Sequence, residues 1–141
     1  MKYFTLRELC ASTTANKKDI TNVPESLAEV LNMVLLIEHL LDPAREWLGE
    51  EIFVNSGYRC KRLNKAVGGV DNSQHCEGRA ADITTKDSAT NYRLLRYLLA
   101  IADIDQLIVY QNAEREIVFF HVSYINSLEN RKEIIYKRID R

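Results

Sequence analysis

The chain has 141 residues and a formal net charge of −1 at pH 7, with 46% hydrophobic and 28% charged residues. This length and balance predict a single globular domain over residues 1–141 and argue against a disordered chain. The near-neutral charge, with both signs interspersed, argues against nucleic acid as a partner.

The sequence contains no clear signal for membrane insertion or secretion. No apolar run approaches the roughly 20 residues needed to span a bilayer. Arg7 and Glu8 interrupt any apolar N-terminal stretch, so the chain is expected to be cytoplasmic as synthesised. Three cysteines without a leader predict free thiols. Cys76 adjoins His75 but lacks the CxxC or CxxH spacing of a cysteine–histidine zinc site.

The N-terminal part is predicted to be helical. Thr5 is expected to cap a short helix with the sequence LRELC. A longer helix is predicted to begin near Pro24, with Asn22 as its N-cap and Glu25 completing a capping box.

One apolar face of this longer helix is expected to pack in the core. Its residues follow helical spacing: Leu27, Val30, Leu31, Val34, Ile37 and Leu41. Asp42-Pro43 predicts a break or kink, after which the helix resumes until Gly49. Trp47, in this last piece, is expected to lie in the core.

The remainder of the chain mixes short strands with helices. Strands are predicted within residues 51–59, 79–85, 105–110 and 116–124, and again near the C-terminus. Helices are predicted after Cys60, closed by Gly68-Gly69, and over residues 91–102, capped by Ser88 or Thr90. The polar stretch QNAER joins two of the strands in a hairpin-like connection. This pattern predicts an α+β domain with a small, mostly antiparallel sheet flanked by helices.

Two histidines and one aspartate are candidate metal ligands. Strand alternation in VFFHVSY makes His121 project from one face of a strand, while His75 lies in a loop and Asp82 in or at the start of a strand. Two imidazoles and one carboxylate, with a fourth position left for water, form the ligand set of a catalytic zinc site. Zinc in such a site activates the bound water as a nucleophile. The alternative from spacing alone is that these side chains are structural and bind no metal.

A long motif narrows these alternatives. NSGYRCKRLNKAVGGVDNSQHCEGRAADI resembles the signature of the zinc D-alanyl-D-alanine carboxypeptidase family, and FFHVSY resembles the final strand of its short bacterial and phage-type branch. MKYFTLREL, DPAREWLG and DQLI are similar as well, so the resemblance covers nearly the whole chain. It implies the hedgehog/DD-peptidase fold, a small antiparallel sheet flanked by helices.

The resemblance also implies the site and the activity. The implied site holds one Zn²⁺, bound by His75, Asp82 and His121. The implied substrate-binding residues are Arg59, Ser73 and Gln74. A planar guanidinium such as that of Arg59 is suited to a substrate carboxylate. The implied function is a zinc metallopeptidase that hydrolyses peptide bonds in peptidoglycan stem peptides, either D-Ala-D-Ala carboxypeptidase-like or endolysin-like. We expect a monomer that reaches the cell wall after export or lysis.

The general base is where the sequence departs from the family pattern. Similar proteins carry a glutamate at the position of Tyr110, and a tyrosine with a pKa near 10 is a poor base at neutral pH. Three interpretations remain open. Glu114, which we prefer, or Glu116 folds back over the metal as the base. Tyr110 stabilises the oxyanion instead. Or the domain keeps its metal but is a catalytically impaired module that binds peptidoglycan or a protein partner.

Overall fold

The computed structural model describes residues 1–140, which form an α+β domain. Within this range five strands make one sheet in the order β1-β2-β4-β3-β5. They are β1 (Phe53–Ser56), β2 (Ala80–Thr84), β3 (Gln106–Gln111), β4 (Ile117–Ser123) and β5 (Glu133–Arg138). Neighbouring strands are antiparallel except β3 and β5, which are parallel. The predicted α+β class with a mostly antiparallel sheet is therefore confirmed.

Six α-helices lie in the rest of the described chain. They are α1 (Leu6–Cys10), α2 (Thr13–Lys17), α3 (Leu27–Leu36), α4 (Asp42–Leu48), α5 (Lys61–Ala66) and α6 (Ser88–Ala100). The predicted cap of α1 is confirmed, because the Thr5 hydroxyl accepts a hydrogen bond from the Glu8 N–H. None of the described helices is long and apolar enough to cross a membrane.

The predicted start of α3 is wrong. Its N-cap is Ser26, whose hydroxyl accepts from the Glu29 N–H and donates to the Glu29 carboxylate, so the helix begins later than Pro24. Asn22 has a different role. Its side chain is buried and bonds to the backbone of Cys10, Tyr58 and Cys60. These partners lie 12 to 38 residues away in the sequence, so local spacing does not reveal them.

The core-facing side of α3 also differs from the prediction. Leu27 and Leu31 are 72% and 53% exposed. Ile37 and Leu41 are buried as predicted, but the side chains buried with them are Met33, Leu36 and Leu40. Both sets have helical spacing, so periodicity alone does not choose between them, and tertiary packing selects the second.

The helix is not interrupted at Asp42-Pro43. It continues from α3 through a π-helical turn, Ile37–Leu41, directly into α4, where Pro43 occupies the first turn. The fixed φ of proline is already helical, which suits this position. Gly49 ends α4 with φ of 74°, as predicted. Trp47 is 43% exposed and packs against Tyr97, so its predicted core position is wrong.

Helix α6 starts at Ser88, and its N-cap is Asp87 rather than the predicted Ser88 or Thr90. The Asp87 carboxylate accepts a hydrogen bond of 2.8 Å from the Thr90 N–H. Ser88 and Thr90 are therefore inside the helix, and neither is its cap.

The two faces of the sheet have different surroundings. Ile83, Val109 and Phe120 are completely buried and belong to the hydrophobic core together with residues of α3, α4 and α6. Because successive side chains in a strand point to opposite faces, their neighbours Asp82, Ile108 and His121 lie on the other face. That second face forms the floor of an open cleft.

Candidate metal centre

The three predicted ligands lie together in the cleft. Strand pairing places Asp82 of β2 directly opposite His121 of β4, and the Asp82 Oδ1 lies 3.0 Å from the His121 Nδ1. The Nε2 of His75 lies 3.4 Å from the same oxygen. One ligand atom from each side chain falls within 4.8 Å of the other two. A loop residue and two strand residues therefore converge on one point.

His75 is held by a 3₁₀ turn, Gln74–Glu77, whose ends are fixed by the sequence motif. The Ser73 hydroxyl caps the turn by accepting from the His75 N–H. Gly78 ends it with φ of 77°, and a Cβ there would collide with the backbone carbonyl of Glu29. Only glycine satisfies both conditions.

The tautomer of His75 follows from its neighbour. Its Nδ1 lies 2.7 Å from the Gly57 carbonyl oxygen, which can only accept a hydrogen bond. Nδ1 therefore carries a proton, and Nε2 is the ring nitrogen that faces Asp82. A backbone carbonyl holding the far nitrogen of a histidine is the usual arrangement around a metal ligand. Gly57 permits this packing, because a Cβ there would collide with the Leu9 carbonyl.

Asp82 is ionised. Burial by itself raises its pKa, but the contacts with the His121 and His75 rings hold the pKa well below its usual range. Its second oxygen, Oδ2, lies 3.6 Å from the Nη2 of Arg59. The site therefore presents a negative oxygen next to two imidazole nitrogens.

This donor set fits a divalent metal ion. Ligands at 2.0–2.1 Å in a tetrahedral zinc site are separated from one another by about 3.3 Å. The separations from the Asp82 Oδ1 to the two histidine nitrogens, 3.0 and 3.4 Å, bracket that value. The cleft has a volume of about 440 Å³, which leaves room for a further ligand beside these side chains.

Arg59 lies beside the ligand cluster in a fixed orientation. Its Nε donates to the Ser56 hydroxyl and its Nη1 to the Asn64 side-chain oxygen. The side chain is 16% exposed and lines the cleft. Its remaining N–H groups are therefore available to an anionic group in the cleft.

Gln74 also lines the cleft, and it is tied to a buried carboxylate. Its Nε2 donates to the Oδ2 of Asp105 at 2.9 Å, and Asp105 is completely buried. Arg131 donates to the same carboxylate from its backbone N–H, Nε and Nη2, each at 3.0 Å. Burial alone would raise the pKa of Asp105, but the hydrogen bonds from Arg131 and Gln74 lower it to about 2.

Asp105 should therefore make the domain sensitive to acid. Its pKa falls from an ordinary 3.8 to about 2 on folding. The resulting stabilisation, about 2 kcal/mol, is fully present above pH 4 or so and is lost as the pH falls through about 2. Urea unfolding between pH 2 and 6 should show this loss in the wild type and a smaller one in Asp105→Asn. Asp103→Asn, a change at an exposed carboxylate, is the control. Equal pH slopes in the wild type and Asp105→Asn would contradict the assignment.

Tyr110 points into the cleft from β3. Its ring stacks on that of Phe119, with centroids 4.2 Å apart. Burial and the nearby charge of Asp82 raise the pKa of Tyr110 above its usual value of 10. The hydroxyl therefore stays protonated at neutral pH and is a hydrogen-bond donor.

The two glutamates considered as bases are not brought to the cleft. Glu114 is exposed in the turn between β3 and β4, and the Glu116 carboxylate accepts from the Asn112 side chain. Pairing of β3 with β4 runs from Ile108, opposite His121, as far as Gln111, with a register shift between Tyr110 and Gln111. At 3.3 Å per residue, Asn112 is about 13 Å from that pair along the strand. The extended hairpin holds both carboxylates away from the ligand cluster.

Asp105 and Arg131 were not among the site residues predicted from the sequence. One signal was available, because a carboxylate at the start of the apolar run DQLIV requires a partner if it is buried. Nothing local identifies that partner, which comes from the segment before β5.

The fold and the cleft together define a small α+β domain with a candidate mononuclear metal centre of two histidines and one aspartate. Residues 2–122 match the family model of Peptidase M15, and the chain belongs to that family, which is zinc D-Ala-D-Ala carboxypeptidase-like. The predicted family resemblance is thereby confirmed. Membership supports a metallopeptidase that acts on peptidoglycan. The chain has no match among the curated proteins.

Proposed function

We propose that the protein is a zinc-dependent peptidase that hydrolyses a peptide bond in peptidoglycan stem peptides. One Zn²⁺ would be held by His75, Asp82 and His121. The observation that carries the proposal is the convergence of these three side chains in an open cleft beside Arg59. Zinc bound there would lower the pKa of a water molecule to about 7 and polarise the scissile carbonyl.

The position of Arg59 favours cleavage near a free C-terminus. Its Nη2 is 3.6 Å from a ligand carboxylate, so an anion bound by Arg59 lies next to the metal position. One residue of extended peptide spans about 3.3–3.6 Å. A terminal carboxylate gripped by Arg59 therefore brings the last peptide bond of the substrate close to the metal. This arrangement supports a D-Ala-D-Ala carboxypeptidase-like activity over cleavage at an internal bond.

Tyr110 would act as a donor in this reaction. Its protonated hydroxyl faces the cleft and is suited to stabilising the oxyanion that forms when the carbonyl is attacked. Tyr110 does not supply a base, so proton removal is left to solvent and hydrolysis is slow.

Metal removal tests the proposal. Zinc-loaded protein should release D-alanine from a stem pentapeptide ending in D-Ala-D-Ala, a chelator should stop the release, and added zinc should restore it. The products are measured by mass spectrometry, and bound zinc by elemental analysis. Chelator-insensitive release would contradict a metal-dependent reaction.

A second candidate function is a metal-containing domain that binds peptidoglycan or a protein partner without turnover. The supporting observation is that Asp82 is the carboxylate lining the cleft in residues 1–140, and no glutamate lines it. Full zinc occupancy with stem-peptide binding and no hydrolysis over days would favour this function.

Arg59→Lys should weaken the reaction of substrates with a free C-terminal carboxylate. Lysine cannot reproduce the two parallel bonds of a guanidinium, and hydrogen bonds to charged groups contribute enough to predict a loss of about 10- to 100-fold in kcat/KM. A C-terminally amidated peptide should show no such difference between wild type and variant. Arg62→Lys, on the exposed side of α5, is the matched control. Equal losses with both peptides would remove Arg59 from the substrate site.

A further inference from the structure

Gln74 lines the cleft, and the orientation of its side-chain amide is set by Asp105, which lies outside the candidate metal centre. Its Nε2 lies 2.9 Å from the Oδ2 of Asp105. An ionised carboxylate only accepts hydrogen bonds, so the NH₂ group of the amide must face Asp105. The carbonyl oxygen, Oε1, then points away from Asp105, and it has no hydrogen-bond partner within residues 1–140.

The Asp105 carboxylate is held in place by its other hydrogen bonds and cannot rotate away from Gln74. Besides Gln74, its two oxygens accept three hydrogen bonds from Arg131, and the Ser123 hydroxyl lies 3.5 Å from Oδ2. The side chain is completely buried. Rotating it would break several hydrogen bonds to a buried carboxylate, which is costly. The amide of Gln74 is thus oriented by a rigid acceptor.

Arg131 belongs to a part of the chain outside the family match, which ends at residue 122. Its segment is anchored to the sheet, because the Glu133 N–H donates to the Asp105 carbonyl and β5 pairs with β3. Arg131 and Gln74 both line the cleft. The C-terminal segment therefore contributes to the wall of the candidate active site.

We propose that Asp105 and Arg131 are positioning residues that hold the Gln74 carbonyl oxygen toward the cleft, where it accepts a hydrogen bond from a backbone N–H of the bound peptide. The inference rests on the proposed peptidase function. It assigns Gln74 the role of an acceptor and assigns the C-terminal segment a part in substrate recognition.

Binding measurements separate this role from a purely structural one. The probe is a stem pentapeptide ending in D-Ala-D-Ala, titrated calorimetrically into zinc-loaded protein. Gln74→Ala should weaken binding about 3- to 10-fold, the range expected for one hydrogen bond. Asp105→Asn should weaken peptide binding at least as much. The asparagine NH₂ would donate to the Gln74 carbonyl oxygen and so reverse the Gln74 amide. The NH₂ of Gln74 would then face the peptide N–H, and two donors cannot form a hydrogen bond.

The double variant provides the decisive comparison. If Asp105 acts through Gln74, then Asp105→Asn has no further effect on binding once Gln74 is replaced by alanine. Effects that multiply would overturn the proposal, as would unchanged binding in both single variants. Arg131→Lys should weaken binding in the same direction as Asp105→Asn. Arg138→Lys, near the end of β5, is the control and should bind as the wild type does.

A readout without any ligand distinguishes failure of this inference from failure of the proposed function. The side-chain NH₂ signals of Gln74 are assigned in a ¹⁵N–¹H spectrum as the pair that Gln74→Ala lacks. They should move in Asp105→Asn and in Arg131→Lys, and stay in place in Arg138→Lys. Unmoved signals in both variants would overturn the positioning role. Moved signals in a protein that binds no stem peptide would confirm the contact but refute the recognition role together with the peptidase proposal. If Asp105→Asn does not fold, Arg131→Lys carries the same test.

Discussion

His121→Ala is expected to lower stem-peptide hydrolysis by about 10³-fold or more and to reduce bound zinc to well below one ion per chain. A bound metal supplies several kcal/mol of transition-state stabilisation, and each 1.36 kcal/mol corresponds to a factor of ten in rate. His121 lies directly opposite Asp82 in the β2–β4 pair, and its removal leaves only His75 and Asp82 of the three candidate ligands. Activity assays and elemental analysis of the same samples measure both effects.

The chain contains a matched control for this variant. His39 is the third histidine of the sequence, and it stacks on Tyr124 rather than lining the cleft. His39→Ala removes the same imidazole group and should leave zinc content and turnover unchanged. Zinc retained at full stoichiometry in His121→Ala would show that the ion is bound elsewhere or that the three side chains are structural.

Tyr110→Glu is expected to increase kcat at neutral pH by about 10²- to 10⁴-fold, the usual contribution of a positioned general base. Tyr110 lies two residues after Ile108, which pairs with His121, so both side chains are on the cleft side of β3. Glutamate has a reference pKa near 4.3, so even with the pKa raised by burial and by Asp82 a carboxylate is a much better proton acceptor at pH 7 than the tyrosine hydroxyl. The increase is measured as the initial rate of product release at saturating stem peptide.

Two further substitutions show which property of residue 110 matters. Tyr110→Gln matches the size of glutamate without its charge and should show no gain. Tyr110→Phe removes only the hydroxyl, so a slower rate in this variant would indicate that the hydroxyl stabilises the oxyanion. If Tyr110→Glu is no faster than Tyr110→Gln, the missing carboxylate is not what limits turnover. Zinc content must be measured in each variant, because a new carboxylate near the site can itself become a ligand.

The departure at Tyr110 and the contribution of Arg131 lie in the same cleft. The family match covers the three candidate ligands and Arg59 but ends before β5. Arg131 comes from beyond it and holds the carboxylate that orients Gln74. The ligand cluster thus belongs to the shared part of the family, whereas one wall of this cleft is built by the segment that follows.

The sequence by itself was sufficient for the α+β class, which depends on local rules, and for candidate ligands, which depend on local rules together with a long motif. Side chains alternate along a strand, which put His121 on the face opposite Phe120. Glycine tolerates positive φ, which allowed the turns at Gly49 and Gly78. The long motif, through its resemblance to the family, then implied that His75 and Asp82 join His121 as ligands.

Tertiary structure decided the features that depend on partners distant in the chain. It buried Met33 and Leu36 in place of Leu27 and Leu31, although both sets have helical spacing. It held Glu114 in the turn of the β3–β4 hairpin, outside the cleft in which one of the three open interpretations placed it. It also paired Asp105 with Arg131 across 26 residues. A periodic pattern specifies which side chains share a face, but only packing and long-range hydrogen bonds determine what that face meets.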